Sequence, residues 1–137
     1  QVSTKIIPQN MAPFPWHFGG QRYQNIFIDS DEIVSFCKRG YNICLDTAHL
    51  SMNCKFFNKK FEDEFLKLLP YSDHLHLSDA DGLNGEGVKL GTGDIDFKFV
   101  MNNISKDQSF IVETWQGHKN GGAGFFEDLR YLDTLLI

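Results

Sequence analysis

Gln9, Asp46, His76 and Glu113 are polar residues placed near the C-terminal ends of apolar stretches, at intervals of 37, 30 and 37 residues. Each interval is close to one strand-plus-helix unit of a parallel α/β fold. Two carboxylates, one imidazole and one amide oxygen make a donor set for a single divalent cation. Oxygen-rich sets with one nitrogen suit Mn²⁺, Co²⁺, Mg²⁺ or Zn²⁺. A charged side chain buried in a sheet is costly unless it is paired or metal-bound. The plainer reading makes Asp46 and Glu113 strand-end ion-pair partners. Their common register with His76 favours metal. His74 shares the His76 face two residues lower in the strand and suits a hydrogen-bonded position beneath the site.

The elements that would carry these residues alternate regularly. A first strand is predicted over Lys5–Met11. A helix follows from Asp29-Ser30-Asp31-Glu32, where Asp29 and Glu32 fit a capping box, and it stops at Gly40. A second strand covers Asn42–Asp46, and a second helix covers Lys59–Leu69, with Pro70 as its stop. The third strand is His74–Ser78. A glycine-rich loop then leads to a helix near Asp94–Ile104, with Asp94 as its N-cap. A fourth strand, Phe110–Thr114, is followed by a second glycine cluster and a final helix through Phe126, Leu129, Leu132 and Leu135. The result is (βα)4, one domain over residues 1–137 with a parallel sheet. The polar strand ends would meet at one rim, where α/β barrels place their chemistry.

Composition sets the surroundings. Hydrophobic residues at 42% and charged residues at 23% are ordinary for a globular chain. A net charge of -5 disfavours nucleic acid and anionic membrane as partners. No apolar run approaches a membrane span and no signal-peptide pattern is seen. Cys37, Cys44 and Cys54 form no CxxC and read as reduced thiols, which points to the cytoplasm.

The runs Ile43-Cys44-Leu45-Asp46-Thr47-Ala48-His49, His74-Leu75-His76-Leu77-Ser78-Asp79, Leu90-Gly91-Thr92-Gly93-Asp94-Ile95-Asp96-Phe97 and Val112-Glu113-Thr114 resemble the xylose isomerase-like TIM-barrel superfamily. That superfamily includes sugar and sugar-phosphate isomerases and epimerases, inosose dehydratases and endonuclease IV. The resemblance aligns the chain with strands five to eight, the C-terminal half of the barrel. It implies that Asp46, His76 and Glu113 bind the metal. It also implies that His49 contacts substrate, although hydrogen bonding at a helix start suits that residue equally well. Gln9 falls where the family's sugar enzymes carry a glutamate that binds metal and moves a proton. Epimerases of this type use two glutamates on opposite substrate faces, so Gln9 leaves Glu113 as the one obvious base. Glu86 and Asp79 are the available substitutes. The endonuclease branch needs an Asp-x-His pair where this chain has Gly85-Glu86-Gly87-Val88-Lys89.

The resemblance therefore implies a metal-dependent sugar or sugar-phosphate isomerase or epimerase with a small carbohydrate as partner. Glu113 and His49 would be its catalytic pair. Trp16 and Trp115, just past strand ends, would stack on a sugar ring or pack beneath a loop. The glycine stretches 85–93 and 117–124 offer backbone amides to a phosphate, or simply turn. The alternative is a catalytically weakened carbohydrate-binding or assembly module. A closed barrel takes eight strands and roughly 200 or more residues, so four strands leave two open edges and a bare inner face. This predicts a homo-oligomer or a fragment of a longer polypeptide.

Overall fold

The computed structural model describes residues 4–17 and 19–136. Its elements are, in chain order, β1 (Trp16–His17), β2 (Gly20–Gln21), α1 (Ser30–Cys37), β3 (Ile43–Asp46), α2 (Thr47–Phe57), α3 (Phe61–Leu68) and a 3₁₀ turn (Leu69–Tyr71). They continue with β4 (Ser72–Leu77), β5 (Asp79–Asp81), β6 (Gly85–Val88), α4 (Phe97–Asn103), β7 (Ser109–Val112) and α5 (Lys119–Leu135). β3, β4 and β7 form a parallel sheet in that order, while β1–β2 and β5–β6 are separate antiparallel pairs.

Alternation along the parallel strands divides the sheet into two faces. Ile43, Leu45, Leu75 and Leu77 are fully buried against Ile33, Leu50, Phe65, Leu68 and Phe97 of the surrounding helices. Each such side chain contributes about 1.5–3 kcal/mol of burial. The opposite face carries Cys44, Asp46, His74, His76, Ser109 and Ile111, in a register that pairs Asp46 with His76 and His76 with Ile111. Ile111 is 46% exposed there. The described residues form part of a TIM-type barrel and do not close it.

Among the described residues the expected first strand forms one bridge, from Gln9 to Cys44. Pro8 supplies a carbonyl to Cys44 N–H at 2.9 Å but has no N–H to give. Beyond Gln9, the Asn10 side chain replaces the backbone ladder. Its amide donates to Asp46 O at 3.0 Å and accepts from Asp46 N–H at 2.7 Å. Helix α2 was not expected. Its residues Thr47 to Cys54 are all buried, so it lacks the polar face that marks a helix in sequence. Asp29 does cap α1, but Glu32 accepts from Phe27 N–H instead of closing the box. The α4 cap is Asp96, while Asp94 accepts from Gly82 N–H and pairs with Lys55. α5 contains a break, with left-handed backbone at Asn120, Gly121 and Gly122.

The first glycine-rich stretch also holds the unforeseen β5–β6 hairpin. Buried Asp79 at its base accepts from the N–H groups of Ala80, Gly91, Gly93 and Ile95 at 2.8–3.1 Å. Two of the amides considered for phosphate are thus already bound to a carboxylate of the chain itself. Asp79→Ala strands four donors, two of them on the buried residues Ala80 and Ile95. Unfolding free energy is expected to fall by about 3–5 kcal/mol in urea melts. A loss below about 1 kcal/mol would show that water takes over the carboxylate's role.

Candidate metal centre

Asp46 ends β3 and caps α2, because its side chain reaches back to the first turn of the helix. Oδ1 accepts from His49 N–H at 2.9 Å, and Oδ2 accepts from Gln9 Nε2 at 3.1 Å. On the neighbouring strand, His76 Nδ1 lies 3.9 Å from Asp46 Oδ2 and 2.5 Å from Glu113 Oε2. Glu113 N–H continues the ladder to Leu77 O at 3.0 Å, which sets the Glu113 side chain beside His76. One ligand atom from each of Asp46, His76 and Glu113 falls within 4.8 Å of the others.

Close as it is to Glu113, His76 Nδ1 is buried without a well-directed hydrogen bond. A buried nitrogen facing two carboxylate oxygens fits the donor set of a divalent cation. Hydrogen bonding to Cys44 and then to Glu113 pushes the His76 imidazole up to about 10 when no ion competes for it. His76 in turn holds the Glu113 carboxyl below its usual range. Burial pushes the Asp46 carboxyl up, against the pull of His49.

Gln9 is at the site, but in this rotamer its amide donates to Asp46. It positions that carboxylate, and ligation through its oxygen would need the opposite amide orientation. His49 takes the helix-start role, and its ring is bound within the protein. Its N–H completes the helix cap, while its buried ring bridges Asn10 O at 2.8 Å (Nδ1) and Glu86 Oε1 at 2.9 Å (Nε2). Burial disfavours the charged ring, but Asp46 and Glu86 outweigh it and hold His49 at about 9. His74 lies lower on the face with Nδ1 2.8 Å from Ser109 Oγ.

A cavity of about 630 Å³ opens over this corner, lined among others by Asp46, His49, Glu86, Glu113, Trp16 and Trp115. The two indoles are 64% and 76% exposed, so packing beneath a loop does not account for them. Asn10 escaped the sequence reading, although a buried asparagine beside an apolar run calls for backbone partners. The β5–β6 hairpin is what brings Glu86 to the cavity and onto His49.

A parallel α/β sheet with its polar groups gathered at the C-terminal strand ends defines an open portion of a (βα)-barrel with a rim site. The family profile for the xylose isomerase-like TIM barrel matches residues 2–135, and the chain belongs to that family. Among solved structures, a D-tagatose 3-epimerase-like protein is similar, with a TM-score of 0.59 at 19% identity. The alignment covers 97% of this chain and 49% of that one, so the chain spans about half its length. A search of curated protein sequences returned no match. Among the described residues no helix is long and apolar enough to cross a membrane.

Proposed function

We propose that this chain is the metal-holding half of a sugar isomerase or epimerase. The observation that carries the reading is the convergence of one ligand atom each from Asp46, His76 and Glu113 to within 4.8 Å of one another, beside a cavity that Asp46 and Glu113 line. Asp46, His76 and Glu113 would hold one divalent ion, with Gln9 and the α2 amide fixing Asp46. When bound, the cation would polarise a carbonyl and its adjacent hydroxyl, acidifying the C–H beside them. Glu113, exposed to the cavity, is the group placed to take that proton. Trp16 and Trp115 offer apolar faces to a sugar ring. His49 has both ring nitrogens engaged, so it acts on a ligand by orienting Glu86.

Binding without turnover is the second reading, favoured by the amide at position 9 where the family's sugar enzymes place a carboxylate. The bare inner face at Ser109 and Ile111 fits a further half-barrel covering it, whether from the same polypeptide or a second copy. The test is deuterium entry from D₂O into the carbon beside the carbonyl of D-fructose or D-tagatose, with Mn²⁺ present. Exchange that disappears on chelation is expected. Sugar binding with no exchange in the metal-loaded protein would leave only the second reading.

A further inference from the structure

Epimerisation by proton transfer needs one group to remove a proton and another to return one from the opposite side. With Gln9 neutral, the rim lacks a second carboxylate at the first strand. Asp79 cannot stand in, because it is fully buried and both its oxygens are bound to backbone amides. Glu86 is different. It lines the same cavity as Glu113, its side chain is 30% exposed, and only Oε1 is engaged by His49, which leaves Oε2 for a ligand.

The backbone segments that carry Glu86 and Glu113 lie against one another. Gly87 O accepts from Trp115 N–H at 2.7 Å, so the strand carrying Glu86 is tied to the segment carrying Glu113. A Cβ at Gly87 would sit 3.4 Å from Trp115 N and 3.6 Å from Glu113 O, on a backbone with φ of +71°. Glycine allows that close approach and the left-handed turn. His49, held at its other nitrogen by Asn10 O, then fixes the Glu86 carboxylate from within.

Building on the isomerase or epimerase reading above, we infer that Glu86 is the second acid–base carboxylate of this cavity, replacing the one that Gln9 lacks. In the step, Glu113 is ionised, and Glu86 carries the proton that His49 Nε2 shares with it across 2.9 Å. The ionised carboxylate takes the proton from the carbon beside the carbonyl, and the C–H electron pair moves toward the carbonyl to give an enediolate. The protonated carboxyl then delivers its proton to the other face of that carbon, and the C=O bond re-forms. The pair finishes with its protonation exchanged and the sugar inverted at one centre, with no oxidant or reductant consumed.

The experiment compares the wild-type protein with Glu86→Gln and Glu113→Gln in D₂O with Mn²⁺, using D-tagatose and D-fructose as probes and following the conversion of each to its own C3 epimer. Mn²⁺ affinity is measured separately by calorimetry. Glu86→Gln should bind Mn²⁺ within about twofold of wild type, while interconversion of the epimers falls about a hundredfold or more. Deuterium should still enter the epimer whose hydrogen faces Glu113. Glu113→Gln should lose exchange and most Mn²⁺ binding together. Glu86→Asp, which keeps the carboxylate, should be faster than Glu86→Gln, and equal loss in a folded protein would overturn the assignment. Interconversion by Glu86→Gln within threefold of wild type would do the same while leaving the enzyme reading intact. Absence of both exchange and interconversion in metal-loaded wild type would instead overturn the enzyme reading, and this assignment with it.

Discussion

His76→Ala is expected to abolish specific binding of a divalent ion, raising its Kd by at least about a hundredfold. Losing a mere outer partner of a metal ligand already costs about 10- to 100-fold, and His76 supplies the one nitrogen of the set. The fold should survive, because the packing of β4 comes from Leu75 and Leu77 on the opposite face, not from His76. Asp46→Asn should give the same loss with α2 intact, since asparagine caps a helix about as well as aspartate. Elemental analysis after dialysis, with circular dichroism as the folding control, decides the matter. Full occupancy in either variant would remove these residues from the site.

The second large effect is on pH. Cys44 and Glu113 hold the His76 imidazole above its ordinary value, toward about 10, so over the neutral range an incoming cation must displace its proton from Nδ1. Affinity should therefore rise with pH, by about tenfold per unit between pH 6 and 9, and level off near 10. Titration calorimetry in buffers of different ionisation enthalpy should count about one proton released per ion. A flat profile would mean that the nitrogen is already free. For folding of the ion-free protein the sign is opposite. A histidine raised above its ordinary value of 6.5 contributes stability that is complete below that value and lost as pH climbs through about 10. Saturating metal should thus help the protein most on the alkaline side.

Asp46, His76 and Glu113 were legible in the sequence for a simple reason. The packed face of each strand is apolar, so a charged residue at the strand's end stands out, and unit-length spacing puts such ends side by side. The same contrast explains what stayed hidden. α2 is enclosed on every side, so Thr47 to Cys54 show no polar stripe, and the segment does not look like a surface helix. Asn10 performs a backbone's task with a side chain, which no strand pattern encodes. Asp79 reads as a rim carboxylate until its four amide partners are seen, and those come from residues up to Ile95, across a turn the sequence does not dictate. Glu86 acquires its place only through the hairpin and the bond from Trp115 to Gly87.

The two oxygens of Asp46 have a consequence for how the centre meets its ion. One is anchored by the start of a helix and the other by Gln9, and the residue is 2% exposed. Glu113, by contrast, has a side chain that is 54% exposed and sits beyond the last residue of its strand. As a site for a divalent ion the centre would work like a vice with a fixed jaw and a sliding one. The rigid side is preorganised at synthesis and loses little entropy on capture, while the sliding side adapts its reach to ions of different radius. Such a vice would discriminate poorly between Mg²⁺, Mn²⁺ and Co²⁺, because the reach of Glu113 and not the Asp46 side would set the fit.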